Sequence, residues 1–109
     1  MNRIARDILQ VASELLPRLK VTFTRTPKIE ERDLTSIHID IQRFVTTLRK
    51  NEDLECLVSR RDDDKVMEIT IGFTDHEEMK GIVDSMEEMI KKLGKKSKID
   101  VNIERSCKK

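Results

Sequence analysis

Apolar residues recur along this chain with two different periods, and the switches between them mark the elements. Over residues 1–16, Ile4, Ile8, Val11 and Leu15 share one stripe with Ala5, Leu9, Ala12 and Leu16 beside it, the spacing of an amphipathic helix. Pro17 ends that helix, because its ring and missing N–H do not fit a continuing turn. From Arg18 to Thr26 the period drops to two. Leu19, Val21 and Phe23 take one face and Lys20, Thr22 and Thr24 the other, which predicts a strand with one polar face. Pro27 and the polar stretch 28–32 read as a loop, with Asp33 as the N-cap of a second helix.

Leu34, Ile37, Ile41, Phe44, Val45 and Leu48 then trace one helical face up to about Lys50. Ile39 breaks this pattern, and Ile37, Ile39 and Ile41 by themselves alternate like a strand over residues 34–43. The longer register favours the helix. After the turn Asn51–Asp53, the run Cys56–Ser59 reads as a short strand and Arg60–Lys65 as a polar connection. Met67, Ile69, Ile71 and Phe73 alternate with Glu68, Thr70 and Gly72, the clearest strand in the chain. Thr74 and Glu77 have the spacing of a capping box, and Met79, Ile82, Val83, Met86, Ile90 and Leu93 form the apolar stripe of the helix behind it. Lys91 and Lys92 sit in its last turn, Gly94 reads as its stop, and Ile99, Val101 and Ile103 alternate in a final strand.

Beyond the opening helix the order is strand, helix, strand, strand, helix, strand. That is the split βαβ arrangement of a ferredoxin-like α+β domain, with two helices on one face of a four-stranded antiparallel sheet. The expected organisation is an N-terminal amphipathic helix over 1–16, a single ferredoxin-like domain over 18–106 and a loose tail at 107–109. The extra helix cannot leave its stripe in water. It either docks on its own domain, at a sheet edge or on the open face beside Leu57 and Val66, or it meets a second copy or another protein.

With 109 residues the chain has the length of one domain, able to bury roughly two-thirds of its unfolded surface without staples. Lys and Arg number 22 against 21 Asp and Glu, but the charges are mixed in sign and the apolar residues are periodic, which separates the chain from disordered sequences. No apolar run is long enough to span a membrane, and no secretory leader is evident. Cys56 and Cys107 stand alone, without the spacing of a zinc or redox motif, and fall toward opposite sheet edges; both read as reduced thiols. These features together fit a cytoplasmic domain.

Placed on this topology, the charges separate. The loop after the first strand, the central hairpin and the loop before the last strand share one end of the domain. That end collects Arg25, Lys28, Arg32, Arg60, Arg61, Lys65, Lys91, Lys92, Lys95, Lys96 and Lys98 against Glu30, Glu31, Asp62, Asp63 and Asp64, a local excess of six on a chain of net charge +1. Such polarity steers an anionic partner, although charge runs most often only solvate loops.

Catalytic chemistry is not spelled out. His38 and His76 lack triad spacing and read as boundary histidines, Asp62–Asp64 lack the ligand alternation of a calcium loop, and Gly72, Gly81 and Gly94 form no phosphate cradle. No metal or other cofactor is expected. The acylphosphatases share this fold, but their glycine-containing phosphate loop has no counterpart between Phe23 and Arg32. RNA-binding domains of the fold stack bases on aromatics of the central strands, whereas Phe23 and Phe73 here have inward parity.

The opening Met1–Leu16, with Ile4-Ala5, Ile8-Leu9, Val11-Ala12 and Leu15-Leu16, resembles the short helix that begins many small accessory proteins of tailed bacteriophages. The resemblance implies an accessory role, such as a virion component or an inhibitor of a host system, and transfers no functional residue. The expected function is therefore a non-catalytic protein-interaction or assembly module. It would use Ile4, Ile8, Val11 and Leu15 to bind another protein or itself as a homodimer, with no membrane. The alternative is a nucleic-acid backbone binder using Arg60, Arg61, Lys91, Lys92, Lys95, Lys96 and Lys98.

Overall fold

A computed structural model describes residues 17–51, 56–74 and 76–106. The expectations for residues 1–16, including Ile4, Ile8, Val11 and Leu15, and for the tail 107–109 with Cys107, lie outside the described residues. In chain order the elements are β1 (Arg18–Thr24), α1 (Glu31–Asn51), β2 (Cys56–Asp62), β3 (Val66–Phe73), α2 (His76–Ser97) and β4 (Val101–Ser106). The strands form one sheet in the order β2-β3-β1-β4, every neighbouring pair antiparallel. This is the ferredoxin-like arrangement, with β2 and β4 as its edges.

Alternation along the strands fixes which side is buried. Leu19, Val21 and Phe23 of β1 and Met67, Ile69, Ile71 and Phe73 of β3 are all buried under the helices. Leu34, Ile37, Ile41 and Val45 of α1 and Met79, Val83, Met86 and Ile90 of α2 close over them. No polar or charged residue is buried among the described residues, so hydrophobic burial carries the core without internal polar networks. Ile39 decides between the two periods read in 34–43. It is 41% exposed while Ile37 and Ile41 are buried, as a helical turn of about 100° per residue requires.

Several element ends differ from those read in the sequence, each because a non-local contact or cap competes with local propensity. Helix α1 starts at Glu31, and Asp33 is not its N-cap. The Glu30 carbonyl accepts from the N–H of Asp33 at 3.0 Å and of Leu34 at 3.5 Å, leaving Asp33 inside an acidic first turn that suits the helix dipole. Strand β1 ends at Thr24, short of Thr26. Strand β2 runs through Asp62, so Arg60 and Arg61 belong to the strand rather than to a loop, held there by pairing of Arg60 with Ile69 and Arg61 with Glu68. At the head of α2 the Thr74 hydroxyl meets the Glu78 carboxylate at 3.1 Å.

Gly94 is not a helix stop. It is buried inside α2, where a Cβ would collide with a Val101 methyl and lie 3.1 Å from the Ile99 carbonyl oxygen. The helix continues to Ser97, and Lys98 turns the chain with φ at 56°, the left-handed conformation usually given to Gly or Asn. Ile99 is buried but precedes β4, whose pairing starts at Val101.

Candidate interaction surfaces

The end of the domain expected to gather charge is assembled as the topology requires. The Arg25 N–H donates to the Lys65 carbonyl at 2.7 Å and the Thr24 N–H to the Asp100 carbonyl at 3.0 Å, which brings the β1–α1 loop, the central hairpin and the α2–β4 connection together. Asp33 and Asp100 also lie at this end, and both are exposed.

Arg25 and Arg60 at this end are not available as free cations. Arg60 has the inward parity of Cys56 and Val58, and its guanidinium reaches Glu31 at 2.8 Å, Asp62 at 2.9 Å and the Thr35 hydroxyl at 3.3 Å. Arg25 binds the other faces of the same acids, Glu31 at 2.5 Å and Asp62 at 2.6 Å. Two arginines and two carboxylates thus form a closed cluster joining β2, the β1–α1 loop and the first turn of α1. The Arg25 hydrogen bond holds the Glu31 carboxyl below its ordinary range. Partial burial pushes the Asp62 carboxyl up, but hydrogen bonds from Arg60 and Arg25 outweigh it and the net direction is down. Asp63 is spent locally: its carboxylate accepts from the backbone N–H of Lys65 at 2.7 Å and Val66 at 2.8 Å, which lowers its pKa and pins the hairpin.

Of the seven basic residues proposed for a nucleic-acid surface, the structure groups only five. Arg61 is exposed on the opposite sheet face from Arg60, because neighbours in a strand point apart. Lys91, Lys92, Lys95 and Lys96 are exposed on the last two turns of α2, and Lys98 comes directly after them. Lys92 meets Glu88 at 3.4 Å with both side chains well exposed, a weak pair.

The open sheet face carries Lys20, Thr22, Ser59, Arg61, Glu68, Thr70 and Glu104, with Lys20 and Glu68 paired at 3.6 Å. Leu57 stands out there at 74% exposure, opposite Gly72 in the register. Val66 is half-buried. Phe23 and Phe73 are buried, so this face has no stacking platform.

His38 is half-buried on α1, and its Nε2 has no hydrogen-bond partner. Desolvation lowers its pKa first, and the nearby Arg60 cation lowers it further. His76 opens α2. The Cys56 thiol is buried, and burial pushes its pKa up, away from the reactive thiolate. Among the described residues no group of three or more His, Cys, Asp or Glu could hold a metal ion, and no helix is long and apolar enough to cross a membrane.

Periodicity in the sequence does not announce the ion clusters, although a signal for them exists. Arg60 continues the inward row Cys56, Val58, and Arg105 continues the inward row Val101, Ile103. A cation of inward parity on an edge strand must reach back toward a helix. Arg105 does so, binding Asp84 at 2.8 Å and Glu87 on α2.

No family model and no curated protein matches the chain. Among solved structures it is similar to the de novo designed protein Foldit4 at 20% identity, over 85% of this chain and 98% of that one, with a TM-score of 0.56. The de novo designed protein LFR1 1 with ferredoxin fold is 20% identical over 87% of this chain and 86% of that one, TM-score 0.55. A putative aminohydrolase from methicillin resistant Staphylococcus aureus is 11% identical, TM-score 0.57, and there this chain spans only 28% of the other's length. At these identities the likeness is one of fold.

Proposed function

We propose that the chain is a non-catalytic interaction module, in which the ferredoxin-like domain is a rigid mount and residues 1–16 carry the association surface. The observation behind this reading is that the domain has already spent its apolar residues. Ile39 and Leu57 are its exposed large hydrophobics among the described residues, on opposite sides of the sheet, and the surface around them is polar. A stripe holding Ile4, Ile8, Val11 and Leu15 finds no matching apolar area there. Their 4-3-4 spacing is that of a helix-to-helix seam, which makes a second copy of this chain the first partner. The His38 Nε2 has no hydrogen-bond partner, so this imidazole gives no support to a catalytic reading.

Light scattering on the full chain tests this, comparing wild type with the double variant Ile8→Glu, Val11→Glu. The expected outcome is a dimer that becomes monomeric in the variant, with the domain's thermal unfolding little changed. A monomeric wild type overturns the reading. So does a variant of unchanged mass but lower melting temperature, which would mean that the segment packs on its own domain.

A further inference from the structure

The solvent side of the last two turns of α2 holds Lys91, Lys92, Lys95 and Lys96. Residues 91 and 95, and 92 and 96, stand one turn apart, about 6 Å along the axis, so the four ammonium groups form a two-by-two array. Lys98 extends it past the helix end. Apart from the exposed contact of Lys92 with Glu88, no ion pair engages these lysines among the described residues.

The array runs against what stability alone would select. Like charges at i,i+4 disfavour a helix, and the helix dipole rewards cations only in its last turn, which leaves Lys91 without that reward and Lys92 with only its exposed pair to Glu88. Lys98 carries its charge at φ 56°, where glycine is the low-strain residue. Local rules broken together at one place point to a use for that place. Most neighbouring carboxylates are committed elsewhere: Glu31 and Asp62 to Arg25 and Arg60, Asp63 to its own hairpin, Glu30 to Arg32 at 2.6 Å. Asp33, Asp64 and Asp100 remain. The close approach of Gly94 to Val101 and Ile99 fixes this end of the helix to the domain.

We propose that the lysine array docks the phosphate backbone of a nucleic-acid duplex, without sequence selectivity. A protein partner would want an apolar or aromatic anchor at the centre of the contact, and the array offers none. Single strands would want a stacking platform, but the chain has no Trp or Tyr, Phe23 and Phe73 are buried, and Phe44 packs against the core. Lysines act as freely oriented point charges, which suits phosphates.

The test is a fluorescence-anisotropy titration of a labelled mixed-sequence DNA duplex of about 20 base pairs with the full chain, between 50 and 200 mM salt. Four phosphate contacts predict a slope of log K against log salt of about −3.6, or about a 150-fold loss of affinity across that range. An unrelated duplex sequence should bind equally. The double variant Lys95→Gln, Lys96→Gln should halve the slope to about −1.8, and Lys91→Gln with Lys92→Gln should do the same; circular dichroism verifies that both stay folded. Arg61→Gln, on the other sheet face, should leave binding unchanged. Absence of binding at 50 mM salt overturns the proposal, as does binding indifferent to both double variants. Displacement of the duplex by polyglutamate at equal charge concentration would overturn it in favour of an acidic protein surface.

Discussion

The guanidinium of Arg60 on edge strand β2 lies 2.8 Å from the carboxylate of Glu31 in the first turn of α1, across 29 residues of sequence. Arg105 on the opposite edge strand does the same to Glu87 on α2. Each edge therefore carries an inward-pointing cation tethered to the helix above it. Inward charge on an outer strand also discourages edge-to-edge pairing, so one side chain serves both packing and solubility.

Arg60→Met is expected to lower the melting temperature by several degrees, because Arg60 ties β2 directly to Glu31 and Thr35 of α1, while Arg25 bridges the same acids from the β1–α1 loop. Glu31→Gln should cost less in that background than in wild type, since the two residues share one network. Thermal melts of the two single variants and the double variant give the comparison. Equal effects of Glu31→Gln in both backgrounds would show the contact to be energetically idle.

Acidification should weaken the fold in two stages. The pKa of His38 is lowered in the folded state by desolvation and then by Arg60, so the unfolded chain binds its proton first; stability falls as pH drops through the ordinary histidine value near 6.5 toward the folded one. Glu31, Asp62 and Asp63 are lowered too, so their contribution is present above the ordinary carboxylate range and is lost as pH falls through and below it. Urea midpoints measured from pH 8 to pH 3 should show both stages, and His38→Gln should remove the upper one only.

Two glycines in one helix should respond to alanine with opposite signs. At Gly81 a Cβ meets nothing within 4 Å, so Gly81→Ala should stabilise by about 0.5–1 kcal/mol. At Gly94 the same propensity gain is outweighed by overpacking against Val101 and the Ile99 carbonyl, commonly about 1–3 kcal/mol, and net destabilisation is expected. Chemical denaturation of both variants decides it.

Lys98→Gly should raise stability by about 0.5–1 kcal/mol, by relieving a left-handed residue at some cost in unfolded-chain entropy. A gain in melting temperature accompanied by weaker duplex binding would show stability and charge to be in competition at this position.

The buried Cys56 thiol should react slowly. In a Cys107→Ser background, labelling by an aromatic disulfide reagent at pH 7 should be at least tenfold slower than in denaturant, because burial excludes the reagent and raises the thiol pKa. Fast native labelling would contradict the burial.

Periodicity identified the described strands, helix α2 and the inner face of the sheet, whereas at 34–43 it favoured the helix and left a strand open until the exposure of Ile39 decided between them. Leu19, Val21, Phe23, Met67, Ile69, Ile71 and Phe73 are buried where alternation puts them, because which way a side chain faces is a property of the local backbone. The order of those elements was likewise enough to bring the basic loops to one end. Contacts between residues distant in sequence decided the rest. Arg60 passed from an expected free cation to the centre of an ion cluster because β2 extends beside α1. Gly94 changed from a helix stop to a contact point because β4 brings Val101 against it, leaving Lys98 to make the turn. Local pattern specifies the elements and their faces; end points and charge pairing depend on what the fold places opposite each residue.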